Sequence, residues 1–171
     1  HDKWFDENMV VTISVPYIIQ NQENVRKQLV GWSTDNTYIN IITRNESGFY
    51  RLSNINTNDF RNIDFDYKKQ YHIDVKSDFG RPIGSGWYDE NSIITISVIP
   101  DNDFILNRHF SGWEGTIIGQ GDQESANVLV SFPQTIIAKW QEDYTVPSIL
   151  GIAIIVAVVG VIIYHKRRPN P

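Results

Sequence analysis

The sequence contains no cysteine, so disulfides and thiolate metal centres are both excluded. Clustered positive charge is also missing over most of the chain. Against 20 Asp and Glu stand 15 Lys and Arg, and Lys166, Arg167 and Arg168 of these lie together at the carboxyl end. What precedes them is strongly acidic, which excludes nucleic acid as a partner, because binding it requires a patch of cations. Convincing helical periodicity is absent ahead of residue 146, and residues 20–29 are the one stretch that admits a turn or two of helix. No amino-terminal signal opens the chain. His1, His72, His109 and His165 are isolated from one another and no pair has metal-ligand spacing, so solvated surface histidine is the reading and no metal or cofactor is expected. Without disulfides the chain relies on its own core, which a composition of 41% hydrophobic and 12% aromatic residues supplies for one or two small domains.

Charge is missing in one further place, and there the absence is itself the signal. Residues 146–164 carry no charged and almost no polar side chain. A helix of roughly 19 residues rising about 1.5 Å each spans a hydrocarbon core of ~30 Å. A core helix of that length would show a polar face, and this one has none. Lys166, Arg167 and Arg168 follow the run at once while Glu142 and Asp143 precede it. By the positive-inside rule the carboxyl end lies in the cytoplasm and residues 1–145 lie outside. Tyr144 and Tyr164 stand at the two ends, where amphipathic rings favour the headgroup level. Ala153, Ala157 and Gly160 recur on one side of the helix, leaving open a lateral protein partner beside the lipid bilayer itself.

The remainder is organised by an internal repeat. Trp4-Phe5-Asp6-Glu7-Asn8 recurs as Trp87-Tyr88-Asp89-Glu90-Asn91. Val10-Val11-Thr12-Ile13-Ser14-Val15-Pro16 recurs as Ile93-Ile94-Thr95-Ile96-Ser97-Val98, with Pro100 one residue later. Lys27-Gln28-Leu29-Val30-Gly31-Trp32 answers Arg108-His109-Phe110-Ser111-Gly112-Trp113, and Ile63, Phe65, Tyr67 and Tyr71 take the places of Ile136, Ala138, Trp140 and Tyr144. Apolar residues alternate with hydroxyls in these blocks, with the period of a half-buried strand. Val128, Val130 and Phe132 continue that period, as do Ile73 and Val75 with His72, Asp74 and Lys76 on the other side. Gly84-Ser85-Gly86, Asp101-Asn102-Asp103 and Gly119-Gln120-Gly121-Asp122 supply turns. The copies differ at their start: the second has a strand over residues 71–76 before Trp87, whereas only His1-Asp2-Lys3 precede Trp4. A module without its first strand leaves a sheet edge unpaired. The expectation is that the natural protein extends further toward the amino terminus, the alternative being that another chain supplies the strand.

The order of an opening strand, a Gly-rich turn with an aromatic and an acidic pair, a Thr/Ser-alternating strand ending at Pro, an x-Gly-Trp block and a last strand closing in Ala138-Lys139-Trp140 resembles the divergent internalin-type B-repeat. Residues 71–140 cover the whole pattern, and residues 4–67 all but the opening strand. With a carboxyl-terminal anchor the arrangement is similar to archaeal surface proteins. The resemblance implies a spacer, adhesion or interaction role with no catalytic residues. Leu29 departs from it by replacing the aromatic before Gly31-Trp32, and the first copy carries a longer loop between Trp32 and Tyr67, where any private function would sit.

Several residue groups invite a chemical reading. Asp6-Glu7 and Asp89-Glu90 could divide acid and base work, but neighbours on a strand point to opposite faces, and recurrence in both copies points to turn geometry. Asp89, Glu90, Asp101 and Asp103 offer hard oxygen ligands for calcium, although Asp101-Asn102-Asp103 is ordinary turn composition and lacks a long acidic loop. Trp32 and Trp113 could stack on sugars; following glycine in an apolar strand, each reads as a core filler whose indole finds one hydrogen-bond partner. Asn45-Glu46-Ser47 is an N-glycosylation triplet in the long loop.

The expected fold is mainly β, with two tandem small β-modules ahead of one transmembrane helix. Residues 1–70 form the first module, lacking its opening strand, 71–145 the second, 146–164 the membrane helix and 165–171 a cytoplasmic basic tail. The expected function is a non-catalytic cell-surface spacer, adhesion or protein-interaction ectodomain. Its rivals are the stalk of a larger surface enzyme with an upstream catalytic domain, and an accessory structural subunit of a membrane complex.

Overall fold

The computed structural model describes residues 4–35, 37–41, 48–59, 62–101 and 107–167. These residues form twelve β-strands and one carboxyl-terminal helix. The protein is mainly β, as the alternating apolar pattern requires. The chain divides into two compact units. The first comprises His1–Asp74, Ser85–Ile94 and Leu129–Gln134, the second Val75–Gly84, Thr95–Val128 and Thr135–Pro171.

In the first unit, β1 (Val10–Pro16) pairs antiparallel with β5 (Phe49–Asn56) as a two-stranded sheet. Strand β3 (Val25–Thr34) carries β2 (Ile18–Gln22), β4 (Tyr38–Asn40) and β6 (Ile63–Ser77), all antiparallel to it. Residues 20–29, where a turn of helix was admissible, are instead part of the β2–β3 hairpin. Gln22 pairs with Val25, and Asn24 takes the left-handed conformation with φ 59°. Asn tolerates that region and lets two residues reverse the chain. Strand β8 (Gly86–Asp89) joins the other edge of β6, with Trp87 opposite His72.

In the second unit, β10 (Asn107–Glu114) pairs antiparallel with β12 (Gln134–Asp143). A separate three-stranded sheet has the order β11 (Ser125–Leu129), β9 (Ile93–Ile99), β7 (Arg81–Ile83). Strand β6 is shared: residues 63–74 belong to the first unit and 75–77 to the second. The sequence boundary drawn after residue 70 therefore falls inside an unbroken strand.

The duplicated blocks have duplicated registers. Leu29 lies opposite Tyr67 and Gly31 opposite Asp66, so Val30 is an extra residue, a β-bulge. Phe110 lies opposite Trp140 and Gly112 opposite Lys139, so Ser111 bulges at the same place. Trp32 then faces Phe65 and Trp113 faces Ala138.

Burial is unequal between the copies. Ile96, Val128, Val130 and Ile136 are fully buried, and Val98 and Ala138 nearly so. Ile63 and Phe65, which hold the places of Ile136 and Ala138, are half-buried. Phe132, expected to continue the β11 alternation, is exposed, because β11 ends at Leu129 and Ser131 N–H turns back onto the Leu129 carbonyl.

Candidate functional site

The carboxyl-terminal helix α1 (Thr145–Arg167) begins after a single intervening residue, Tyr144, beyond the end of β12 at Asp143. It is long and apolar enough over Pro147–Arg167 to cross a membrane. From Ser148 onward every side chain of the helix is exposed, and the apolar ones are present all round it. In water such a helix would leave its whole hydrophobic surface unburied, which is the condition of a helix solvated by lipid. Its last turn carries His165, Lys166 and Arg167. Arg168 lies outside the described residues.

The junction is built from polar groups on the two strands and the helix start. The Asp143 carboxylate accepts the Thr145 N–H at 2.8 Å and the Thr145 hydroxyl, satisfying an amide that the first helical turn leaves without a partner. These bonds hold the Asp143 carboxyl below its usual range. The Tyr144 hydroxyl donates to Glu142, and Arg108 approaches the same carboxylate at 3.3 Å. Together, with Tyr144 the larger cause, they lower the Glu142 pKa. The Arg108 guanidinium also lies 3.9 Å over the Phe79 ring. His109 stands 3.8 Å from Asp143 in the same shallow, open recess beside Ser148 and Ile149. The Arg108 guanidinium, the Glu142 and Asp143 carboxylates and the His109 ring thus close the end of the β10–β12 pair where the helix begins.

The acidic pairs are turns. Asn91 has φ 64° and Asn8 φ 62°, so each Asp-Glu-Asn ends in a left-handed asparagine. In the second copy Asn91 N–H donates to the Val130 carbonyl, and the Val130 N–H donates to the Ser92 carbonyl. In the first, Thr57 N–H donates to the Met9 carbonyl and the Asn58 side chain brackets Asn8. The carboxylates of one pair separate. Asp89 accepts from Gln70 Nε2 at 2.7 Å, whereas Glu90 accepts from the Tyr71 hydroxyl at 2.9 Å and Lys69 Nζ at 3.3 Å. Gln70 and its two neighbours on β6 point to opposite faces, so the two carboxylates cannot converge on one bond. The Tyr71 hydroxyl first, then Lys69, lower the Glu90 pKa. The same contacts raise that of Lys69.

No group of three or more His, Asp or Glu that could hold a metal ion occurs among the described residues. Asp101 accepts the Gly80 N–H at 3.0 Å, as a turn residue does, while Asn102 and Asp103 lie outside the described residues. So do His1 and the Asn45-Glu46-Ser47 triplet. His72 packs edge-on against Trp87 with 5.2 Å between ring centroids, and His165 lies beside Tyr164. Trp32 is buried and its indole donates to the Tyr50 hydroxyl at 3.2 Å; Trp113 is only half-buried and donates to the Gln123 carbonyl at 3.0 Å. Ala153, Ala157 and Gly160 are exposed along α1.

One constellation escaped the sequence. Arg26, Gln28 and Gln70 are buried: Arg26 Nε donates to Gln70 Oε1 and Gln70 Nε2 to Gln28 Oε1, both at 2.8 Å. The Arg26 guanidinium also lies 4.6 Å over the Trp87 ring. The signal lay in polar residues falling at the inward phase of β3, which marks a buried network once the register with β6 is known.

Comparison with family models, with curated proteins and with solved structures yields no match to this sequence.

Proposed function

We propose that the chain is a non-catalytic, single-pass cell-surface protein, whose β-modules stand outside the cell as a spacer or interaction ectodomain and whose basic tail lies in the cytoplasm. The observation that carries this reading is the junction: only Tyr144 separates the last strand from an apolar helix exposed on every side from Ser148 onward. A β-module joined so closely to a lipid-solvated helix has little reach and stands at the membrane surface. Support for the orientation comes from the acidic Glu142 and Asp143 on one flank and Lys166 and Arg167 on the other. The bilayer is then the first partner, and a second surface or membrane protein can pack on the small-residue face of α1. Support for a tandem module of the internalin B-repeat kind, as on archaeal surface proteins, comes from the duplicated bulge and the duplicated Asp-Glu-Asn turn. Support for a non-catalytic role comes from the divergence of Asp89 and Glu90.

The absence of native cysteine makes the test direct. Single cysteines are placed at exposed Ser131 (Ser131→Cys) and at Lys166 (Lys166→Cys), and intact cells are treated with a membrane-impermeant maleimide. Ser131→Cys is expected to label at once and Lys166→Cys only after lysis. The reverse pattern, or release of the chain from membranes by alkaline carbonate, would overturn the reading.

A further inference from the structure

The recess at the strand–helix junction is polar at one end and apolar at the other, and the change falls where the apolar part of α1 begins. The stretch Pro147–Arg167 has 21 residues, which at about 1.5 Å each make about 31 Å and match a hydrocarbon core of ~30 Å. Pro147 therefore marks the outer boundary of that core. Ser148, Ile149 and Ile152 follow it on one face of the helix, since residues three and four apart stack above one another. Ile149 and Ile152 are 60% and 62% exposed, and Ile152 lies about 7.5 Å beyond the boundary. On the other side Thr145 stands about 3 Å above Pro147, and Asp143 Oδ1 is 2.8 Å from the Thr145 nitrogen, so that carboxylate is within about 6 Å of the hydrocarbon. A headgroup layer is about 5–7 Å thick on each side, which puts the carboxylate at headgroup level. Asp143, His109, Ser148, Ile149 and Ile152 all line the one recess.

The charges of the recess are unequally matched. Both oxygens of Glu142 are engaged, one by Arg108 at 3.3 Å and the other by the Tyr144 hydroxyl. Asp143 differs. Its Oδ1 accepts the Thr145 N–H and hydroxyl, whereas Oδ2 has His109 Nε2 at 3.8 Å, longer than a hydrogen bond. The Thr145 hydroxyl and then its N–H hold the Asp143 carboxyl below the ordinary range, so the group is an anion at neutral pH. Arg108 offsets Glu142, and the Asp143 charge remains with one oxygen open toward the recess. Nearer the hydrocarbon, the Ser148 hydroxyl is exposed and has no partner among the described residues.

On the reading of α1 as a membrane span, we infer that this recess seats one phospholipid of the leaflet beside the β-module, and that the lipid it selects carries a primary ammonium headgroup, as ethanolamine phospholipids do. An acyl chain lies along Ile149 and Ile152, continuous with the hydrocarbon around the helix. The phosphodiester sits at the boundary, where the Ser148 hydroxyl donates to one of its oxygens. The ammonium stands above it and donates to Asp143 Oδ2, a charge-assisted bond roughly twice as strong as a neutral one. A choline headgroup has no N–H to give. An anionic glycerol headgroup brings a net negative charge to a recess that already holds an unmatched carboxylate, and like charges at short range repel. The apolar wall thus accepts any phospholipid, and Asp143 decides among headgroups.

The test takes the full chain in non-ionic detergent, adds equal amounts of dioleoyl phosphatidylethanolamine, phosphatidylcholine and phosphatidylglycerol, and counts retained lipids by native mass spectrometry. The ethanolamine lipid is expected to be retained about fivefold over each of the others. Asp143→Asn keeps an oxygen for the Thr145 N–H, since asparagine caps a helix as well as aspartate does, and removes the charge. The three lipids are then expected to be retained equally. Glu114→Gln changes an exposed carboxylate paired with Lys139 outside the recess and is expected to keep the preference. Equal retention by the unaltered chain, a preference for choline or glycerol, a preference that survives Asp143→Asn, or one that is also lost in Glu114→Gln would each overturn the proposal and leave the span standing. A chain that retains no lipid and stays in solution when the detergent is removed would overturn the span itself, and the recess with it.

Discussion

Ile136 and Ile63 occupy the same place in the two copies and differ in burial, which makes their replacement by alanine an internal comparison. Ile136 is 0% exposed, and its Cγ1, Cγ2 and Cα atoms lie within 3.4 Å of where a Cβ on Gly115 would sit, so the packing there has no slack. Cutting such a side chain back to its Cβ removes the transfer free energy of the lost atoms and leaves a cavity that a tight surrounding cannot fill. Fully buried Ile-to-Ala changes cost about 2–5 kcal/mol, and the close packing puts Ile136→Ala at about 4. Ile63 is half-buried and faces an open edge, so water takes the vacated space and no cavity term arises. Only about half of the ~1.5–3 kcal/mol of side-chain burial is then at stake, or about 1 kcal/mol. With a urea slope of about 2 kcal/mol/M, the midpoints fall by about 2 M for Ile136→Ala and about 0.5 M for Ile63→Ala. Urea unfolding of the full chain in non-ionic micelles, followed by tryptophan emission, reads both. Equal losses at the two positions would refute the claim that the first copy is the less completely packed.

Two further outcomes follow from local geometry. Gly84 has φ +114°, and a Cβ added there would stand 2.9 Å from Ile96 Cγ2; Gly119 has φ +87° with nothing within 4 Å. Gly84→Ala is expected to lower the thermal midpoint by more than Gly119→Ala, since both bear about 1 kcal/mol of backbone strain but only the first also displaces a buried side chain. Glu90 is held below the ordinary carboxylate pKa by the Tyr71 hydroxyl and then Lys69. Its folded value is the lower one, so its contribution to stability is present above the unfolded pKa of about 4.3 and is lost as pH falls through the folded value. Carbon-detected NMR titration should find Glu90 ionising below that reference, and Tyr71→Phe should move it back up; an unmoved midpoint in Tyr71→Phe would show that the hydroxyl is not the cause.

Much of the fold was legible because period-two alternation survives translation into burial. Ile96 and Val98 are buried with Thr95 exposed between Ile94 and Ile96, and Ile73 and Val75 are buried as their spacing required. The apolar run of residues 146–164 announced a helix, which begins at Thr145. What failed depended on atoms far away in sequence. Phe132 kept the alternation but lies past the end of β11, where a turn sets its direction. Residues 20–29 carried too weak a period to separate helix from hairpin, and the decision rests on left-handed Asn24. Trp113 repeats the setting of Trp32 yet stays half-buried, because its surroundings, unlike its flanking residues, are not duplicated.

The two copies separate these kinds of information cleanly. A bulge before Gly-Trp and an asparagine at φ above +60° ending Asp-Glu-Asn recur because each is closed by residues within or directly opposite the block. Neither needs the opening strand. Ile136 is buried where Ile63 is half-buried, and Trp87 is half-buried where Trp4 is exposed, because among the described residues only Ile136 and Trp87 have a strand on the side in question. Similar local sequence therefore gives the same bulge and the same turn but different packing.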